Sequence, residues 1–185
     1  MRVRSSDLPG VLIIEPAVHR DARGLLVESY HEARYRDAGI AARFVQDTHT
    51  RSGPRTLRGL HVQLGAPLGK LVRCVQGAVF DVAVDVRRGS PAFGQWVGIE
   101  LSADHLHQIW VPPGFLHGFY VTAAPAAVEY KSTAPWDPDL EIAVRWDDPG
   151  LGIAWPDRTP VLSAKDAAAP LLHELGDRLP PYEPD

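Results

Sequence analysis

The sequence is poor in the features that staple a chain or embed it in a membrane. It has a single cysteine, Cys74, so no internal disulfide framework is possible. No apolar run reaches the roughly 18 residues that a membrane-spanning helix needs. Positive charge is not in excess: 19 Lys and Arg stand against 23 Asp and Glu, for a net charge of −4 and a pI near 6.0. That balance argues against a general nucleic-acid binder. Met1 to Gly10 is polar and charged with no apolar segment, so no secretory signal is expected and the expected location is cytoplasmic. Internal repeats and low-complexity stretches are also missing, and no linker divides the chain, which is read as one domain over 1–185.

Glycine and proline, in contrast, are abundant. The 16 glycines and 17 prolines make up about 18% of the 185 residues, against roughly 12% in ordinary usage. Such punctuation disfavours long helices and favours many short strands joined by turns. Hydrophobic residues are 45% and charged residues 23%, enough for a core and typical of an ordered globule.

Period two places strands at Val11 to Ile14, Gly24 to Tyr30, Phe44 to Thr50, Leu71 to Val75, Val79 to Val86, Trp96 to Leu101, Gln108 to Val111, Gly118 to Thr122, Ala127 to Ser132 and Ile142 to Trp146. In Val79 to Val86, the residues Phe80, Val82, Val84 and Val86 share one face and Asp81, Ala83 and Asp85 the other. Two short helices are expected. One covers His31 to Ala38 and is stopped by Gly39. The other covers Ser163 to Leu175, with Ser163 as N-cap, Asp166 at its third position and Pro170 limiting its length. The tail 176–185 is Pro-rich and expected to be loose. About ten short strands with turn signals between them predict an all-β sandwich or jelly roll.

Residues able to do chemistry gather in three places. Arg58 to Gln63 reads Arg-Gly-Leu-His-Val-Gln, with Lys70 following, and period two puts Gly59, His61 and Gln63 on one strand face. Val111 to Phe119 carries Pro112-Pro113-Gly114 and His117, and Val128 to Lys131 carries Tyr130. The spacing His61-x-Gln63 … Lys70, then Pro112-x-Gly114-x-x-His117, is similar to the paired motifs of the cupins. Metal-binding cupins place His-x-His and Glu in the first motif and His in the second. Gln63 and Lys70 stand at or near two of those ligand positions here. An ammonium repels a divalent cation and an amide is a poor transition-metal ligand, so no metal or cofactor is expected.

A narrower resemblance rests on nine strings in order. They are Asp21-Ala-Arg-Gly-Leu, Thr56-Leu-Arg-Gly-Leu-His-Val-Gln, Gly69-Lys-Leu-Val-Arg, Val79-Phe-Asp-Val-Ala-Val-Asp-Val-Arg, Gly114-Phe-Leu-His-Gly-Phe, Glu129-Tyr-Lys, Asp148-Pro, Ile153-Ala-Trp-Pro and Leu162-Ser-Ala-Lys-Asp-Ala-Ala-Ala-Pro. Together they resemble the dTDP-4-dehydrorhamnose 3,5-epimerases over about residues 8 to 173. The resemblance implies a cupin-type double-stranded β-helix (jelly roll) with a few short peripheral helices. It also implies an isomerase acting on a 4-keto-6-deoxy sugar carried by thymidine diphosphate. Protons on C3 and C5 flank the C4 ketone, so their removal gives an enolate. Such chemistry asks for a base, an acid on the opposite face and a positive group at the ketone oxygen.

By that resemblance His61 is the base, and imidazole titrates near neutral pH as a base should. Asp166 orients it, Tyr130 is the acid and Lys70 stabilises the enolate oxygen. His117 contacts sugar or phosphate. Arg58 and Arg23 hold the diphosphate by bidentate guanidinium contacts, with Lys165 adding charge. Gln46, Asp47, Thr48 and Glu141 fall at or among further substrate-contacting positions, and Trp136 stands where the family has a tyrosine stacked on thymine. The family also implies a homodimer to which the N-terminal segment 1–50 contributes, with an N-terminal strand exchanged so that Arg23 and Glu28 complete a neighbour's site. Three departures stand out: Thr48 where the family has Asn, Val62 where an aromatic is usual, and a shortened loop between Gln63 and Lys70 with Leu68 in place of Gln. Other readings remain open from the sequence: epimerisation at one carbon only, a metal-dependent cupin, or a non-catalytic binder of nucleotide sugars.

Overall fold

The structure is a computed structural model describing residues 1–183. Eleven strands are found among them: β1 (Arg2–Ser5), β2 (Leu12–Glu15), β3 (Val18–Asp21), β4 (Gly24–Val27), β5 (Gln46–Ser52), β6 (Leu57–Gln63), β7 (Lys70–Asp85), β8 (Trp96–Ser102), β9 (Gln108–Val111), β10 (Phe115–Ser132) and β11 (Glu141–Ala143). Helices are confined to α1 (Glu32–Asp37), α2 (Ala164–Ala167) and two 3-10 turns at Leu172–Glu174 and Gly176–Arg178. The expected all-β architecture is the one observed, and none of these helices is long and apolar enough to cross a membrane.

Two long bent strands organise the barrel. Each was expected as two short strands; each is continuous. β7 runs for 16 residues through Gly77, whose φ of 69° lets the strand turn without ending. β10 runs for 18 residues, with register shifts between Val121 and Val128 where it bends around Pro125. The two pair antiparallel along most of their length. The first part of β7 also pairs with β9 and its second part with β8. Likewise β10 pairs with β6 near His117 and with β5 near Tyr130. The sheet order is β1-β2-β9-β7-β10-β6-β11, with β5 and β8 joined to β10 and β7, and β3-β4 forming a separate hairpin. This is the jelly roll of the cupin type.

The period-two pattern of β7 explains its surroundings. Val82, Val84 and Val86 pack with Phe80, Leu60, Leu116 and the C-terminal residues Leu172, Leu175 and Leu179 outside the barrel. On the other face, Ala83 joins Val72, Val79, Phe115, Phe119 and Val128 inside it. Asp81 and Asp85 share that second face and are both fully buried, so each requires a partner. Asp85 takes Arg87 and Ser90, and Asp81 takes His117.

Close packing at the β6–β10 contact depends on two glycines. A Cβ on Gly59, whose φ is 122°, would lie 2.6 Å from Gly118 Cα and 2.9 Å from His117 O. Gly59→Ala is therefore expected to cost about 3 kcal/mol or more, combining a forbidden backbone region with overpacking. Urea unfolding checks this, and an unchanged midpoint would contradict the packing described.

The second helix is shorter than expected. Pro170 and its neighbours leave α2 with four residues, Ala164–Ala167, capped by Ser163, whose side chain accepts from Asp166 N. The expected loose tail is corrected over 176–183. Leu179 is buried, Arg88 N donates to Pro180 O, Tyr182 N donates to Arg88 O, and the Arg87 guanidinium sits over both Phe115 and Tyr182. Residues 184–185 lie outside the described residues.

Candidate active site

Strand register brings the candidate residues together. His61 on β6 and His117 on β10 are direct cross-strand partners, so their side chains share one face. Lys70 begins β7 opposite Ser132, and Tyr130 lies two residues back along β10 on the same face. With Arg58, Trp136, Glu141, Lys165 and Asp166 they line one cavity of about 250 Å³.

His61 is held by a carboxylate. Its Nε2 lies 2.6 Å from Asp166 Oδ1, and α2 packs on β6 to bring them together. Burial alone would raise the Asp166 pKa. Hydrogen bonds from His61 and the Ser163 cap outweigh it and hold the carboxyl below its ordinary range. An ionised carboxylate only accepts, so Nε2 carries the proton and Nδ1 is left with the lone pair. His117 makes the matching contact on the adjacent strand: its Nε2 is 3.0 Å from both oxygens of Asp81, at 5% and 0% side-chain exposure respectively. Asp81 was not singled out as a site residue. A carboxylate within a valine-rich strand was the available signal, since a buried charge needs a buried partner.

Lys70 forms no ion pair among the described residues, and its Nζ lies 5.7 Å from the centroid of the Tyr130 ring. Burial pushes its ammonium below the ordinary lysine value of 10.5, against the opposing pull of Glu141 and Asp81. An unsatisfied cation at the cavity wall is suited to an incoming anion. Substrate-free stability should therefore rise as pH climbs from the depressed value toward 10.5, because the folded chain favours the neutral amine there. In Lys70→Met this rise is expected to vanish while turnover is lost. Thermal unfolding across alkaline pH checks the first part and an activity assay the second.

Burial raises the Tyr130 phenol, with Glu141 acting in the same direction and Thr48 and Arg58 opposing. At neutral pH it is therefore a proton donor. Glu141 ties the mouth of the cavity, accepting from Lys165 Nζ at 2.5 Å and Trp136 Nε1 at 2.9 Å. Burial would raise its pKa, but His61, Lys165 and Trp136 together hold it low. Trp136 is 53% exposed, leaving an aromatic residue open at the rim. Arg58 is anchored by Nε to Ser52 Oγ at 3.0 Å, with its guanidinium on the cavity wall. Gln63, at a cupin ligand position, is buried and bonds Ala66 O, Pro135 O and Asp137 N, tying two loops. No three His, Cys, Asp or Glu side chains among the described residues are gathered as metal ligands.

Five of the expected residues fall outside this cavity. Arg23 pairs with Asp21, and Glu28 with Arg34, on or beside the β3-β4 hairpin. Asp47 points to the other face of β5, where it pairs with Lys131. Gln46 reaches the rim through its bond from Trp136 N at 3.0 Å but does not line the cavity. Thr48 lies beside Tyr130 on β5, in an adjoining pocket of about 210 Å³ that Tyr130 also lines.

A jelly-roll barrel whose cavity joins a histidine–carboxylate pair, a protonated tyrosine and an unpaired lysine defines a cupin-type acid–base isomerase. Residues 5–174 match the family model described as dTDP-4-dehydrorhamnose 3,5-epimerase, and the chain belongs to that family. The dTDP-4-dehydrorhamnose 3,5-epimerase of Salmonella typhimurium is 49% identical over 94% of this chain and 97% of its own. The Legionella pneumophila epimerase solved with dTDP-4-keto-L-rhamnose is 46% identical, with a TM-score of 0.96 over 99% of both chains. A 3'-monoepimerase from Streptomyces bikiniensis, solved with dTDP-quinovose, is 33% identical, with a TM-score of 0.90 over 96% of this chain and 92% of its own.

Proposed function

We propose that the chain epimerises dTDP-4-dehydro-6-deoxy-D-glucose at C3 and C5, giving dTDP-4-dehydro-L-rhamnose. The observation that carries this reading is the placement of the His61–Asp166 pair and the Tyr130 hydroxyl on one cavity, with the Lys70 ammonium beside them. His61 Nδ1 removes the proton from a carbon next to the C4 ketone. The C–H electron pair becomes the enolate double bond, and the carbonyl pair moves onto the oxygen, where Lys70 offsets the charge. Tyr130 gives its proton to the opposite face of the same carbon as the enolate collapses to the ketone. Solvent then reprotonates the phenolate and removes the proton from His61. Repetition at the second carbon completes the reaction. No net oxidation occurs, and no electron acceptor is required.

His117, held by Asp81, is read as a contact to the sugar or its phosphates. Arg58 and Lys165 provide positive charge for the diphosphate, and the open indole of Trp136 suits the flat face of a pyrimidine. Gln46, Asp47 and Thr48 were expected to contact the nucleotide; of these, only Gln46 reaches the Trp136 rim directly.

The same reading takes the chain as one catalytic domain that works as a cytoplasmic homodimer. The β3-β4 hairpin supports exchange with a second copy. Among the described residues it pairs with no other strand, and it presents Leu25 and Leu26 at 46% and 67% exposure beside Arg23. In a dimer, Arg23 and Glu28 would reach the partner's nucleotide. The paired variant Leu25→Asp, Leu26→Asp is expected to run as a monomer in light scattering and to lose most activity. A dimer of undiminished activity would overturn the exchange.

The function is tested by incubating the protein with the keto sugar and identifying the product by NMR. Accumulation of the L-rhamno product supports the reading, and inversion at one carbon only would replace it with a monoepimerase. Recovery of unaltered substrate would leave only a binding role.

A further inference from the structure

Thr48 stands opposite Tyr130 in the β5–β10 register, so the two side chains lie on the same face of the sheet. The alternation of β5 puts Gln46, Thr48 and Thr50 on the half-buried side and Asp47, His49 and Arg51 outside. Gln46 has a fixed orientation: its Oε1 accepts from Trp136 N at 3.0 Å, so its other end is the amide NH₂. That NH₂ donates to Thr48 Oγ1 at 3.1 Å. A hydroxyl that has accepted keeps one proton of its own to give. Across the strands from it stands the Tyr130 phenol, its direct register partner and a wall of the same pocket.

We propose that Thr48 is a positioning residue for Tyr130, its hydroxyl accepting from Gln46 and donating to the phenol oxygen. This goes beyond the expected contact between Thr48 and nucleotide, and it rests on the reading of Tyr130 as the acid. The donated proton fixes the direction of the phenol oxygen, and with it the trajectory of the Tyr130 proton into the cavity. It also stabilises the phenolate that remains once that proton has left. Because Gln46 is held by the backbone of Trp136, the relay connects the aromatic rim to the acid: Trp136 N to Gln46, Gln46 to Thr48, Thr48 to Tyr130.

Other titratable groups line the cavity with Tyr130, of which Glu141 and Arg58 act on its phenol directly, and they stay in place in the variants. Lys70 approaches from β7, Arg58 and His61 from β6, Glu141 from β11, Asp166 from α2, and His117 from β10 itself. Their influence is common to all the proteins compared, so a change caused by position 48 alone can be read against them.

The test compares Thr48→Val, which keeps the shape and loses the hydroxyl, with Thr48→Ser, which keeps the hydroxyl. Both residues suit a strand. Tyr130 ionisation is followed by ultraviolet phenolate absorbance, with the matching Tyr130→Phe protein subtracted to remove the other tyrosines. In Thr48→Val the Tyr130 midpoint is expected to move to higher pH, and kcat to fall about tenfold with KM little changed, as for one hydrogen bond lost in the transition state. Thr48→Ser should restore both. An unmoved or lowered midpoint in Thr48→Val, or a failure of Thr48→Ser to rescue, would overturn the proposal. So would a raised KM with kcat unchanged, which would mark a plain nucleotide contact. Failure of the underlying reading is separate: Tyr130→Phe alone would then still invert the sugar, while the titration would still report on Thr48.

Discussion

In His61→Ala, proton exchange at both C3 and C5 is expected to fall by roughly 10³-fold or more, at the upper end of what a positioned base contributes. Three observations motivate this. His61 has its ring fixed through Nε2 by a carboxylate, leaving Nδ1 for chemistry, and it lines the cavity with Lys70 and Tyr130. Asp166 is held ionised, so the imidazole is kept in one tautomer with its acceptor outward. The other cavity histidine, His117, is already bonded to both oxygens of the buried Asp81 and faces the adjacent strand position. It is also the more deeply buried of the two, at 5% side-chain exposure against 22% for His61. Asp166→Asn should show a smaller loss, because an amide holds the ring less firmly and can favour the wrong tautomer. NMR of substrate in D₂O measures both. Exchange persisting near wild-type rates in His61→Ala would remove that residue from the role of base.

Tyr130→Phe is expected to behave differently, and the contrast is informative. The base stays intact, so His61 can still remove a proton and return a deuteron to the same face. The donor on the opposite face is gone. Deuterium should therefore enter the substrate while inversion falls by roughly 10²–10⁴-fold, the usual worth of a general acid. Exchange and inversion, joined in the native protein, are thereby separated. The phenyl ring retains the packing of Tyr130 against the barrel interior, so the fold should hold. Inversion at the native rate in Tyr130→Phe would mean that another group, or water, supplies the second proton.

Much of this was legible in the residues, and the limits follow from physics. Period two marked most strands because half-buried strands alternate. It broke β7 and β10 in two because Gly77 and Pro125 look like ends, whereas the register tolerates them as bends within continuous ladders. His61, Lys70, His117 and Tyr130 were readable from local strings, since each lies on a strand whose pattern fixes its face. The partner of His61 came from the resemblance alone. Asp166 is more than a hundred positions away on a four-residue helix, and no local period connects the two. Asp81 was seen on the right face of its strand, but its bond to His117 arises from the diagonal between β7 and β10, which a sequence does not display. Arg23 and Glu28 were expected at a site and stand away from this one, on or beside the hairpin, Arg23 paired with Asp21 and Glu28 with Arg34. The tail looked loose because prolines punctuate it. It is held by backbone bonds to Arg88 and by the Arg87 guanidinium, both of which lie nearly a hundred residues earlier in the chain.

The central claim is that one base and one opposed acid act in turn on the two carbons beside the ketone. Deuterium counting on the native protein tests it most directly. The keto sugar is incubated in D₂O, and the product is examined by NMR for label and configuration at C3 and C5. One deuterium at each carbon, with both centres inverted, is the predicted result. Label without inversion at either centre, or label at a single carbon, would contradict the claim.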